Sequence, residues 1–196
     1  MGSEMCIRDR CAAYGVIFFG QVGGLAQLFK MVQERTDVAT ASTALSALAL
    51  SSVVARLVGG ALVIRLSTMW FGATLVVSQS LALVLLALAE QEVALIASAA
   101  FFGVSIGNLL MLQPLLLAEV FGTAHYSQIY SFNQLFGTIG VASGPLLLGV
   151  LRDSFDYRIA FLVAAGATLS GFLLFMAAGD PQAVKAKWQT ASPAQL

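Results

Sequence analysis

Six apolar stretches, each about long enough to cross a bilayer, fill a chain of 196 residues and leave almost nothing soluble between them. Charged residues make up 10% of the chain and hydrophobic ones 59%. A globular domain needs far more charge to cover its surface. The chain therefore reads as an integral membrane protein. Within lipid every backbone group must be paired inside its own element, and the stretches exceed the length of a barrel strand, so they read as helices. The fold class is all-α integral membrane, six transmembrane helices forming one bundle.

The spans run from about Ala12 to Phe29, Val38 to Leu62, Thr68 to Ala89, Val93 to Phe121, Ile129 to Leu151 and Ile159 to Ala178. Lys30 to Asp37, Arg65 with Ser67, Glu90-Gln91-Glu92, Gly122 to Gln128 and Arg152 to Arg158 separate them. Pro114 and Pro145 offer kinks inside spans four and five. Met5-Cys6-Ile7-Arg8-Asp9-Arg10 is what ATG TGT ATA AGA GAC AGN encodes, which resembles a sequencing-library adapter. A signal peptide fits less well, because Arg8, Asp9 and Arg10 mix signs and no small-residue cleavage site follows a short apolar core. The expected organisation is a non-native leader over 1–10, a six-helix bundle over 11–178 and a polar tail over 179–196.

Ten basic and ten acidic residues cancel, with no basic stripe for nucleic acid and no polybasic lipid-binding cluster. Cys6 and Cys11 form no disulfide framework. His125 has no cysteine or second histidine beside it, so neither a metal nor a cofactor is expected. The expected surroundings are a lipid bilayer, in a bacterium the inner (plasma) membrane. Orientation is poorly determined by charge. Arg65, Lys185 and Lys187 fall on one side, and Lys30, Arg35, Arg152 and Arg158 on the other.

Arg56 lies well inside span two, where a permanent charge is costly unless it faces a cavity or a partner. Ser52, Arg56 and Gly60 are spaced i, i+4, i+8 and share a helix face. One reading is an anchor for a carboxylate or phosphate, which the planar fork matches bidentately. The other is snorkelling toward the Arg65 side, or a structural bond to carbonyls of a neighbouring helix. In span five, Asn133, Gly137, Gly140 and Gly144 follow the i+3/i+4 rhythm that lets another backbone approach, and Pro145 follows them. Tyr14 and Gln21 in span one, Ser105, Asn108 and Gln113 in span four, and Tyr130, Gln134 and Thr138 in span five could line a cavity or bond between helices. Spans three and six hold no ionisable residue, as expected of helices on the lipid-facing outside.

Gly103-Val104-Ser105-Ile106-Gly107 has the G-x-S-x-G spacing of a nucleophile elbow, which needs a strand–turn–helix setting. A serine in the fourth of six spans also resembles rhomboid-type intramembrane proteases. Ile106 replaces their small residue, however, and His125 lies between spans four and five.

Ala55-Arg56-Leu57-Val58-Gly59-Gly60-Ala61-Leu62-Val63-Ile64-Arg65 resembles the G-R-x-x-G-G-x-L-x-D-R stretch of major facilitator superfamily transporters, at their eighth helix and the loop after it. Ile64 stands where that family usually has aspartate. Gly140 to Gly149, Leu151-Arg152-Asp153 and Tyr157-Arg158-Ile159-Ala160-Phe161 resemble the family's passage across helices eleven and twelve. The resemblance implies the C-terminal six-helix half of such a transporter, whose partners are its missing N-terminal half and a small-molecule solute. Spans one, two, four and five would line the cavity, and the tail would be cytoplasmic. The monocarboxylate and oxalate–formate-like branches, which place an arginine in helix eight, are most similar. They imply a small organic anion held by Arg56, with Tyr14, Gln21, Asn108 and Gln134 lining the cavity. Ser52 replaces the acidic residue some monocarboxylate carriers have one turn earlier, and span five lacks the lysine of oxalate carriers. A non-transporting assembly or sensor protein on the same fold is the alternative from another class.

Overall fold

The computed structural model describes residues 2–121 and 126–177. The polar tail, with Lys185 and Lys187, lies outside the described residues, as do His125 and the side chain of Glu119. Six helices follow one another: α1 (Gly2–Arg35), α2 (Val38–Val63), α3 (Thr68–Leu88), α4 (Glu92–Phe121), α5 (Tyr126–Ser154) and α6 (Tyr157–Ala177). All six are long and apolar enough to cross a membrane.

Several helices run past the ends that polarity suggested. Lys30 to Arg35 continues α1 rather than closing it, and Arg152-Asp153-Ser154 continues α5. These residues are mostly good helix formers, so a helix that leaves the apolar layer has no reason to stop there. The true stops are caps. The Asp37 carboxylate accepts the Thr40 N–H at 2.7 Å and starts α2. Asp156 Oδ1 accepts the Tyr157 N–H at 2.6 Å where α6 begins. The C-terminus of α3 is closed from another helix: Arg35 donates to the carbonyls of Leu86 at 3.0 Å, Ala87 at 3.3 Å and Ala89 at 2.8 Å. Helix ends leave such carbonyls without partners, and a cation there also suits the helix dipole. Both Pro114 and Pro145 sit inside unbroken helices.

Helix α1 is the hub, packed chiefly on α5 and α6, while α2 packs on α4 and α3 bridges α4 and α6. One core cluster gathers Leu28, Leu83, Leu86, Phe102 and Phe161, and the second gathers Tyr14, Phe18, Leu75, Leu112 and Phe175. Glycines set the two tightest contacts. A Cβ built on Gly140 would overlap the carbonyl oxygen of Gly15, and one on Gly144 would sit 2.6 Å from the Phe19 carbonyl oxygen. On the other side of the bundle, a Cβ on Gly103 would overlap the Leu48 carbonyl, and one on Gly107 the Ser52 carbonyl. These are the close backbone approaches that small residues permit in membranes, where van der Waals packing replaces the hydrophobic drive.

Helices α3 and α6 hold more polarity than their sequences suggested. Gln79 is wholly buried and donates through Nε2 to the Ile17 carbonyl at 3.2 Å and to Thr168 Oγ1 at 3.3 Å. Ser80 donates to the Ala165 carbonyl at 3.0 Å. These bonds join α3 and α6 to each other and to α1, so one face of each turns inward.

Candidate functional site

Arg56 projects from an exposed face of α2, and its Nε donates to the Gly107 carbonyl of α4 at 2.9 Å. The bond exists because Gly107 has no side chain and α2 lies directly on the α4 backbone. A helical carbonyl keeps a second lone pair after serving its own helix, and Nε takes it. The guanidinium is thus anchored through Nε, and neither terminal nitrogen has a hydrogen bond among the described residues. No carboxylate among the described residues forms an ion pair with it. Beside it, Asn108 lies against Gly59, at a place a Cβ on Gly59 would occupy. Asn108 Nδ2 donates to the Val104 carbonyl at 3.0 Å, and its buried Oδ1 has no partner among the described residues. Arg56 and Asn108 therefore both lie at the α2–α4 seam.

The other candidates stand apart from that pair. Tyr14 is buried, its ring edge-on to Phe175 at 5.9 Å and tilted against Phe18 at 6.2 Å. Gln21 is buried on α1, and its Oε1 is unpartnered among the described residues. Gln134 is exposed on α5 in a polar stripe with Ser127, Ser131 and Thr138, whose hydroxyl donates to the Gln134 carbonyl at 2.8 Å. The structure thus puts Arg56 and Gln134 on open faces, and Tyr14, Gln21 and Asn108 inside the bundle. A groove of about 320 Å³ lies between α1 and α5, lined by residues such as Val16, Phe19, Phe136 and Ile139. It is apolar and does not include Arg56.

Among the small residues of span five, Gly137, Gly140 and Gly144 are buried on the α1 side. The Pro145 carbonyl accepts from Gln27 Nε2 at 3.3 Å. Gly60 has open space where a Cβ would go, and Arg65 is exposed in the turn after α2. The elbow-like spacing around Ser105 has a different role. Its hydroxyl is fully buried and donates to the Phe102 carbonyl at 2.8 Å within α4, while the flanking glycines seat α2. A G-x-x-x-G reading of Gly103 and Gly107 would have found this seam. The Arg35 cap and the Gln79 bonds had no comparable local signal.

The sequence profile described as Major Facilitator Superfamily matches residues 11–195. No curated protein matches the chain in sequence. Among solved structures, a mutant of the peptide transporter POT in complex with alafosfalin superposes with a TM-score of 0.75 at 18% identity, over 96% of this chain and 41% of its own. The same transporter in complex with sulfate gives 0.73 at 18% identity, over 88% and 37%. The E. coli fucose:proton symporter FucP gives 0.69 at 15% identity, over 89% and 43%. The chain spans about two fifths of the length of these transporters. At such identities the likeness is one of fold. With the profile match covering nearly the whole bundle, this multi-pass membrane chain belongs to the Major Facilitator Superfamily.

Proposed function

We propose that this bundle is the C-terminal half of a secondary carrier that moves a small organic anion, such as a monocarboxylate, by alternating access. The missing N-terminal half would pack against the exposed faces of α2 and α5 and enclose a site near the bilayer midplane. The observation that carries the anion reading is the state of Arg56. It is a permanent charge in the second half of a membrane-spanning helix, pinned by Nε to Gly107 and without an ion-pair partner among the described residues. Because that edge is occupied, its terminal nitrogens form the fork left for a planar anion, which meets it end-on with two parallel hydrogen bonds. Gln134, on the polar stripe of α5, supplies a hydrogen-bonding wall. Tyr14, Gln21 and Asn108 are buried within the bundle and would reach a solute only when helices part.

The test is uptake by the intact carrier, both halves present, reconstituted in liposomes with a panel of radiolabelled small carboxylates. Arg56→Gln is expected to reduce uptake of the transported acid at least about a hundredfold, the scale of a lost charge-assisted bidentate contact. Arg56→Lys, which keeps the charge without the fork, is expected to recover only part. Uptake that survives Arg56→Gln in a folded protein would remove Arg56 from the site.

A further inference from the structure

Where α1, α4 and α5 meet, three buried hydrogen-bonding groups stand without partners among the described residues. Asn133 is wholly buried, and neither its Nδ2 nor its Oδ1 is bonded among the described residues. Gln113, with 4% of its surface exposed, has an unbonded Nε2. The two residues come from neighbouring helices, α4 and α5. Gln113 Nε2 lies 4.0 Å from where a Cβ on Gly137 would be, and carbons of the Phe18 ring lie 3.5 and 3.7 Å from that point. Asn133 precedes Gly137 by one helical turn on the same face, about 6 Å along the axis. Gln113 thus faces the stripe of α5 that carries Asn133.

Buried polar groups in folded proteins nearly always find a partner, so a concentration of three free ones marks a place where something polar belongs. The composition of the set says what. Two amide NH2 groups donate and one amide oxygen accepts. A carboxylate, acceptor only, would leave Asn133 Oδ1 unmatched, and an ammonium, donor only, would leave both NH2 groups unmatched. A neutral hydroxyl accepts twice and donates once, which satisfies all three.

We infer that Gln113 and Asn133 form a binding site for one neutral hydroxyl group, supplied by water or by an alcohol function of a solute. The site is independent of Arg56. Gln113 is six residues from Gly107 along α4, about 9 Å of axial rise, and lies on the α5 side rather than the α2 side.

Radiolytic hydroxyl-radical footprinting of the full-length gene product in lipid nanodiscs, in oxygen-18 water, tests this with Phe18, 4% exposed, as reporter and the slightly more exposed Phe175, at 7%, as internal reference. Phe18 is expected to take up oxygen-18 at least fivefold faster than Phe175. Gln113→Leu with Asn133→Leu is expected to bring the ratio near one. Added 1-propanol and added acetate distinguish the sources. A ratio unchanged by both identifies water, and a ratio lowered by propanol but not by acetate identifies an alcohol function. A wild-type ratio near one, a ratio that persists in the double variant, or a ratio lowered by acetate overturns the inference. The wild-type reading stands whether or not the double variant folds.

Discussion

Gly140 of α5 lies directly against Gly15 of α1, so that a Cβ built on Gly140 would overlap the Gly15 carbonyl oxygen. The obstacle is backbone, which cannot swing aside as a side chain can. Gly140→Ala is therefore expected to force α1 and α5 apart and to destabilise the bundle by about 1–3 kcal/mol. Gly166→Ala on α6, where nothing lies within 4 Å, is the matched control and is expected to hold or slightly raise stability through its better helix propensity. Unfolding midpoints of the two variants in a mixed-micelle denaturation series check the contrast.

The same geometry at the α2–α4 seam links packing to the proposed anion site. A Cβ on Gly107 would overlap the Ser52 carbonyl, so Gly107→Ala must shift α4 away from α2 and lengthen the 2.9 Å bond that holds Arg56 Nε. The guanidinium then loses its fixed orientation while keeping its charge. Solute affinity in the intact carrier is expected to fall about tenfold, as expected when about 1.4 kcal/mol of preorganised interaction is lost. Gly60→Ala, one turn beyond Arg56 with open space around it, is expected to leave affinity unchanged.

Arg35 joins α1 to the end of α3 through three carbonyls. Arg35→Met keeps the apolar stem and removes every donor, leaving those carbonyls without the cap. An expected loss of about 1.5–3 kcal/mol follows from the usual worth of hydrogen bonds to a charged group. Arg35→Lys, a point charge without the fork, is expected to fall between. Hydrogen exchange at the last turn of α3 should rise in the Met variant more than exchange at the middle of α3.

What the sequence disclosed, and what it did not, follows from which interactions are local. The six spans were legible because lipid demands long apolar helices, and the face carrying Gly140 and Gly144 was legible because its spacing matches the helical period. Arg56 stood out as a charge inside an apolar run. Its partner did not, because a backbone carbonyl has no sequence signature and Gly107 becomes its neighbour only through packing. Gln79 went unremarked for a related reason. Ser78, Gln79 and Ser80 are consecutive in an otherwise apolar span and so point to different faces, which gives no stripe to say which one turns inward. The helix that continues through Lys30 to Arg35 was hidden by polarity, since charge marks the edge of the lipid layer rather than the end of a helix.

Gln79 also offers a test of how much such buried bonds contribute. Its Nε2 bonds Ile17 and Thr168, yet its Oε1 has no partner among the described residues. Gln79→Leu removes the bonds and the unmet acceptor together, so the two effects oppose. Interhelical bonds in membranes average roughly 0.6 kcal/mol, and stability is expected to change by less than about 1 kcal/mol in either direction. Thr168→Val removes one acceptor from Gln79 and is expected to be more destabilising than Gln79→Leu. The reverse order in denaturation midpoints would show that the Gln79 bonds outweigh its unmet oxygen.

Asp37, between α1 and α2 and outside the spans, gives a pH signature that can be read by difference. The Thr40 backbone N–H bonded to its carboxylate holds its pKa below the ordinary carboxylate value. A group whose folded pKa is depressed contributes stability above its unfolded pKa, near 4, and loses it as pH falls through the folded value. Asp37→Asn keeps a capping oxygen but has no charge to titrate, and Asp37→Ala has neither. At neutral pH the wild type is expected to exceed Asp37→Ala in stability. As pH is lowered below about 4, its margin over Asp37→Asn is expected to shrink in step with protonation, while the margin of Asn over Ala stays flat. Every other carboxylate is common to the three chains, so the difference curves isolate this cap. A wild-type minus Asn difference that does not move between neutral and strongly acidic pH would show that the Asp37 charge does not contribute to the start of α2.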